Sequence, residues 1–306
     1  MSSEVMVIGE ALIDIVIPME GTPSEHVGGS PANVAIGLAR LGHRTQLATH
    51  VGTDARGERI AALMATEEVG LSPTSLTAER TPTAAAHLDA AGVASYQFDL
   101  DWQLDPASVD VPAGGHVHTG SIAATLSPGG AAVAEIITAA RTHATVSYDP
   151  NARPTLMGNP DSARPVIEHL ISLSDVVKAS EEDAAWLYPG QPVDDVLRHW
   201  AELGPALCAI TQGGSEAVVL LAGELHRLPT LPTVVADTVG AGDSFMAGLI
   251  SGLLDAGLLG GMDARSRLDA ATWDEVLPAV QRALACAAIT VSRVGANPPT
   301  RAELTS

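Results

Sequence analysis

The stretch VVADTVGAGDSFMAGLISGLL (234–254) decides how the rest of the chain is read. Gly240, Ala241 and Gly242 are small and stand directly before an apolar run with helical spacing. Backbone N–H groups at a helix start have no intrahelical acceptor, and the helix dipole adds to their attraction for an anion. Small residues let a phosphate approach the backbone closely. Asp243 falls in the first turn of that helix, where a carboxylate can take a proton from a hydroxyl while the N–H groups hold the charge of a transferring phosphoryl group. Taken alone, the same residues also describe an ordinary tight turn followed by a helix-start acid. The choice rests on what surrounds them.

Working outward, apolar strand-like runs alternate with Ala-rich helical stretches. VMVIG (5–9) reads as a buried strand, 31–42 as a helix stopped by Gly42, 45–52 as a strand and 55–70 as a helix. HVHTG (116–120), ATVSYDPN (144–151), DVVKAS (175–180), ALCAITQGG (206–214) and AVVLLAG (217–223) continue the strands. Helices are expected at 129–142, near 161–172, at 242–258 and at 274–291. This rhythm predicts an α/β fold of three layers, a mostly parallel central sheet with helices on both faces, whose ligands bind at the carboxyl ends of the strands. The stretch 82–102 breaks the rhythm. Tyr96, Phe98, Leu100 and Trp102 recur at period two after a turn at AAG, which predicts a β-hairpin outside the main sheet. The segment 12–27 offers partner strands. The expectation is one domain over 1–306 carrying a small β-strand lid built near 12–27 and 82–102.

A second constellation lies in GGSPANVA (28–35). Gly28 and Gly29 precede a helix and Asn33 lies in its first turns, where an amide side chain suits a sugar hydroxyl. A Gly-rich loop with a helix-start Asn is the plainer account. Asp14 follows the first strand; it is either another hydroxyl ligand or an acid facing solvent from the lid.

Composition removes several classes of function. The 306 residues carry a formal net charge of −20, so nucleic acid and anionic membrane surfaces are poor partners. Lys178 is the single lysine, and it lacks the glycines and the following Ser or Thr of a P-loop. No HRD or DFG set marks a protein kinase, and no GxGxxG follows the first strand. His116 and His118 point to one face of a strand, but two histidines without further ligands read as structural and not as a metal site. Cys208 and Cys286 sit in apolar runs and read as buried thiols. The start MSSEVMVIGE has no signal-peptide pattern and no run reaches spanning length, so a cytoplasmic protein is expected.

With these residues in place the chain resembles the ribokinase or PfkB family of carbohydrate kinases over essentially its whole length. Gly28, Gly29, Pro31, Asn33 and Ala35, followed by Gly42 and Gly52, match one family signature, and DTVGAGD (237–243) matches a second. The resemblance implies a ribokinase-like fold and an ATP-dependent sugar kinase with Asp243 as general base and Gly240, Ala241 and Gly242 as anion hole. It implies sugar binding by Asp14, Gly28, Gly29, Asn33 and Arg153. Thr211 and Gly213 would line the nucleotide, with Ser180 and Asn151 near the phosphates. Mg²⁺ would accompany ATP near Asp183 or Glu182, and K⁺ would sit beside Asp237 and Gly295.

DPNAR (149–153) is similar to the fructokinase-like members, which makes fructose the first expected sugar, ahead of 2-keto-3-deoxygluconate, ribose, a nucleoside or a sugar phosphate. Departures are present too. The family's NxxE appears as Ser180 to Asp183, Ser30 stands where ribokinases tend to carry Lys, and Glu216 replaces a frequent glycine. The altered SxxD motif keeps open a non-catalytic sugar or nucleotide sensor on the same fold. The lid's apolar alternation suggests a homodimer through that element.

Overall fold

The structure, a computed structural model, describes residues 4–18, 21–88 and 94–304. Its strands are β1 (Val5–Ile8), β2 (Leu12–Ile17), β3 (Ser24–Gly28), β4 (Thr45–Ala48), β5 (Val69–Leu71), β6 (Thr83–Leu88), β7 (Ala94–Asp99), β8 (His116–Gly120), β9 (Thr145–Asp149), β10 (Val176–Ser180), β11 (Leu207–Gln212), β12 (Glu216–Leu221) and β13 (Glu224–Pro229). The helices are α1 (Ser30–Arg40), α2 (Ala55–Thr66), α3 (Gly129–Ala140), α4 (Pro154–Met157), α5 (Pro160–Ser172), α6 (Glu181–Leu187), α7 (Val193–Leu203), α8 (Ala241–Asp255), α9 (Ala264–Asp269) and α10 (Trp273–Val291).

Among these residues a nine-stranded sheet runs β13-β12-β11-β10-β9-β8-β1-β4-β5. It is parallel from β5 to β11 and antiparallel at β12 and β13. β1 is apolar on both faces because both are covered. Val5 and Val7 join the core formed with α1, α2, α8 and α10, while Met6 and Ile8 join the opposite core with α3, α5 and α7. The three expected layers are therefore present, and helix and strand positions follow the sequence rhythm closely. Cys208 and Cys286 are free and buried.

A separate four-stranded sheet has the order β3-β2-β6-β7. β2 pairs with β6 in parallel, and β3 and β7 flank them antiparallel. The turn expected at AAG lies outside the described residues. Trp102 departs from the period-two reading, because its indole belongs to the main body. It is 5% exposed, packs against Gly129 and donates from Nε1 to the carbonyl of Ala123 at 2.8 Å.

Two packing details fix the site. The glycines of FMAGLISGLL serve close approach: a Cβ on Gly248 would lie 2.8 Å from Ala283 Cα, and one on Gly252 2.4 Å from Ala279 Cα, so α8 and α10 meet backbone to backbone. Beneath the sheet runs a polar file. His116 hydrogen-bonds Thr145 and Ser147 at 2.9 Å each, and His118 hydrogen-bonds Ser147 at 3.0 Å. Burial holds both imidazoles neutral, with pKa values pulled down to about 3. Both nitrogens of His116 and Nδ1 of His118 are thus spent on neighbouring hydroxyls. Among the described residues, no helix is long and apolar enough to cross a membrane.

Candidate active site

The carboxyl ends of β1, β8, β9, β10 and β11 open into a cleft of roughly 1950 Å³ roofed by the small sheet. That exceeds the few hundred to about 1,000 Å³ of a pocket for one small molecule. At its centre is the start of α8. Gly240 is left-handed, with φ 75° and ψ 3°, and the first hydrogen bond of the helix runs from the Ser244 N–H to the Gly240 carbonyl at 2.8 Å. The amides of Gly242 and Asp243 precede that bond and stand at the positive end of a 15-residue helix.

Asp243 is 8% exposed. Ser30 Oγ donates to its Oδ1 at 2.6 Å, and Asn33 Nδ2 donates to its Oδ2 at 2.8 Å. Ser30 and Asn33 are three apart on the first turn of α1, so both face the neighbouring helix. Asn33, expected at the sugar, is held on the carboxylate itself. Ser30 was not among the expected site residues, although its spacing from Asn33 carries the signal.

On the small-sheet side, Asp14 lies in β2 and faces the cleft. Desolvation by the cleft walls raises its pKa, against the attraction of Arg153 and His26. Gly28 permits this placement, since a Cβ there would meet Asp14 Oδ2 at 1.9 Å. Gly28→Ala should therefore displace the carboxylate. On the expectation that Asp14 binds a sugar hydroxyl, KM for that sugar should rise about tenfold or more, with kcat changed less, because loss of a binding hydrogen bond acts on affinity first. Steady-state kinetics check it, and an unchanged KM would remove Asp14 from the sugar compartment. Gly29 caps α1 with φ 109° and abuts the Glu10 carbonyl.

Glu10, absent from the expected site residues, also lines the cleft at 6% exposure. It accepts a hydrogen bond from the Ala123 amide at 3.1 Å and is bonded to the Ser121 side chain. Burial raises its pKa from 4.5 to about 7. A carboxyl with a raised folded pKa costs stability as pH climbs from the unfolded to the folded value, here from about 4.5 to about 7. The cost amounts to roughly 3 kcal/mol by the usual conversion of about 1.4 kcal/mol per unit. Glu10→Gln, measured without ligands, should raise Tm by several degrees at pH 8 and little at pH 4.5. Equal shifts at both values would show that the carboxyl is not ionising against burial.

Arg153 Nη1 donates to the Asn151 side chain at 2.7 Å and to the Asn151 and Ala152 carbonyls at 3.1 and 3.0 Å. Asn151 takes φ 37°, a left-handed turn that its side chain tolerates. The far wall holds Thr211 and Gly213 at the end of β11. Ser180 N-caps α6 and Asp183 closes a capping box with it. Asp183 receives the Ala152 amide at 2.7 Å, the Ser180 amide at 2.9 Å and the Ser180 hydroxyl at 2.8 Å. Glu182, by contrast, is exposed on the cleft wall. Asp237 clips two loops together, accepting the Gly295 amide at 2.8 Å and the Val239 amide at 3.1 Å. Those amides lower its pKa, Gly295 most. Val235, Val239 and Val294 leave an apolar strip exposed on the same wall, 60%, 54% and 83% accessible.

Behind the start of α8, Lys178 Nζ lies 2.8 Å from Asp149 Oδ2, with both side chains buried. Asp149 is drawn up to about 6, burial outweighing the attraction of Lys178.

Comparison with known proteins adds to this geometry. A family model described as pfkB family carbohydrate kinase matches residues 2–303. A fructokinase of Klebsiella pneumoniae is 34% identical over 268 residues, covering 84% of this chain and 87% of that protein. A fructokinase of Escherichia coli is 33% identical over 321 aligned positions, covering 100% and 99%. Among solved structures, a fructokinase double mutant from Vibrio cholerae O395, bound to fructose, ADP and potassium ion, superposes with a TM-score of 0.84. It has 26% identity and covers 99% of this chain and 97% of the other.

Proposed function

From the premise that the chain belongs to the pfkB family of carbohydrate kinases, ATP-dependent sugar kinases of ribokinase-like fold, we propose that it phosphorylates fructose or a closely related free sugar, with Asp243 as general base. The observation that carries this reading is the single turn at 240–243. It presents a buried carboxylate beside the Gly242 and Asp243 amides, which have no acceptor among the described residues, in a cleft large enough for a sugar and a nucleotide together.

Each oxygen of Asp243 accepts one hydrogen bond from Ser30 or Asn33, which leaves lone pairs for the attacking hydroxyl. As the hydroxyl oxygen bonds to the γ-phosphorus and the β,γ-bridging bond breaks, the proton passes to Asp243. The amides at 242–243 meet the charge on the equatorial oxygens. Asp14, Asn33 and Arg153 orient the sugar beneath the small sheet, whose closure as a lid excludes water as a competing acceptor. Thr211, Gly213 and the apolar strip serve the nucleotide.

A magnesium ion is usually held by one or two carboxylates together with substrate phosphates, where it neutralises their charge. Glu182 fits that role better than Asp183, whose oxygens already hold three donors. K⁺ would lie beside Asp237 and Gly295. A neutral sugar is favoured over a phosphorylated one because most of the cleft's cations are paired with carboxylates. Arg40 pairs with Glu67, Arg59 with Glu25 and Lys178 with Asp149, while Arg153 bonds its own loop through Nη1 alone.

The test is ADP release with Mg-ATP and K⁺ across a panel of sugars. Turnover with fructose above other free sugars supports the reading. Turnover only with a sugar phosphate or nucleoside replaces the substrate, and no sugar-dependent turnover with ATP bound favours the sensor.

A further inference from the structure

Lys178 is the chain's only lysine, and it has been placed where a lysine is expensive. It is 3% exposed, yet it lines the cleft. Removing an ammonium and a carboxylate from water costs several kcal/mol per ion, and a well-packed apolar pair of similar volume is often no less stabilising. A buried ion pair is therefore weak evidence for a purely structural purpose.

Its position gives it another. Nζ packs against the Cα of Gly242, where an added Cβ would come within 2.9 Å of the ammonium. The ammonium thus stands directly behind the turn that carries the Gly242 and Asp243 amides. One carboxylate, Asp149, holds it by hydrogen bond, and the charges of Asp243 and Asp183 lie close enough to act on it. Burial pulls its pKa down, and the three carboxylates together push it further up, so the group stays protonated. Asp149 in turn receives the Asn151 amide at 3.2 Å, which ties the pair to the loop bearing Arg153.

Resting on the kinase reading above, we propose that Lys178 is a positioning and electrostatic residue of the anion turn. Its fixed charge, acting through Gly242, compensates the negative charge that the phosphoryl group brings to 240–243 in transit. Lys178 gives up no proton and forms no bond. Asp149 holds it in register and keeps the empty turn from carrying a bare cation.

The decisive experiment removes the charge without leaving its partner stranded. Lys178→Met alone leaves a buried carboxylate unpaired and destabilises the fold. Lys178→Met combined with Asp149→Asn is neutral and should recover Tm to within a few degrees of the parent. In that double variant kcat should stay about 10²-fold low, the size seen when one stabilising contact to a developing charge is lost, while KM for sugar moves less than about threefold. At saturating sugar, aluminium fluoride should tighten ADP binding to the parent and do so about 10²-fold less in the double variant, because this mimic carries the transferring group's charge.

Recovery of kcat together with Tm, or an undiminished aluminium fluoride effect, would overturn the proposal and leave the pair structural. Should the double variant fail to fold, the parent alone decides. With ζ-¹⁵N lysine the chain gives a single ammonium resonance, which must move further with ADP, sugar and aluminium fluoride than with ADP and sugar. An identical position in both states overturns the proposal equally. A parent silent toward every sugar, sugar phosphate and nucleoside would instead refute the kinase reading, so the two failures are distinct.

Discussion

Asp243→Asn is expected to lower kcat by about 10²–10⁴-fold, the usual contribution of a general base. Asn is nearly the same size and keeps one oxygen to accept from Ser30 at the Oδ1 position. The amide nitrogen, however, would face the Asn33 amide, which now donates to Oδ2. Asn33 can answer by turning its own amide over, so the fold should survive with Tm lowered by a few degrees at most. KM for sugar should change by only a few-fold, because the hydroxyl still finds a polar partner there. Single-turnover phosphoryl transfer followed with the preferred sugar measures the chemical step directly. A variant within about tenfold of the parent would mean that the proton leaves by another route and that Asp243 merely caps α8.

Gly240→Ala is the second large effect, and it tests the turn instead of the base. Gly240 is left-handed, with φ 75°, a region that costs an alanine about 1–2 kcal/mol. The added Cβ would also lie 2.6 Å from Ala296 Cβ and 2.8 Å from Ala296 Cα, closer than such atoms approach. Ala296 follows Gly295, whose amide is held by Asp237 at 2.8 Å, so the opposing loop is pinned and cannot simply withdraw. The turn must move, and a displacement near 1 Å at a reacting centre can cost about 10²-fold. We expect kcat about 10²-fold lower with Tm reduced by several degrees, and both are measured on the same preparation. Loss of Tm with kcat intact would show that the turn's geometry is not what aligns the phosphoryl group.

How much of this could be read from the residues alone divides along a physical line. The helix start at 240–243 and the loop at 28–33 were legible because their chemistry is local: small residues, a helix and a polar side chain within a few positions. Strands such as β1 and β12 were legible because burial on both faces leaves an apolar run. The edge strand β13, with the sequence ELHRLP and no buried residue, has no such run and escaped notice. The helix α7 lay unread although Val196, Leu197 and Trp200 mark its buried face.

The pairings across the sheet were hidden altogether. Lys178 and Asp149 are 29 positions apart on adjacent parallel strands, and nothing in either neighbourhood announces the other. Glu10 looks like any acid after a strand until Ser121 and Ala123 close over it. Trp102 matched the hairpin's alternation by position, while its indole had a better place against Gly129. Asp183 was legible as an acid in a motif-like position but not as the partner that closes the capping box with Ser180 and also holds the Ala152 amide.

The seam between α8 and α10 bears on how this scaffold can be recombined. Gly248 meets Ala283 beside the Cys286 thiol and Gly252 meets Ala279, so neither helix can accept a larger residue there without the other yielding. The two helices therefore form one module for chimera construction. A C-terminal segment grafted from a relative has to bring small residues at positions 279, 283 and 286, or be transplanted together with its own copy of 241–255. Residues on the outer face of α10, away from the seam, are the ones left free for library design.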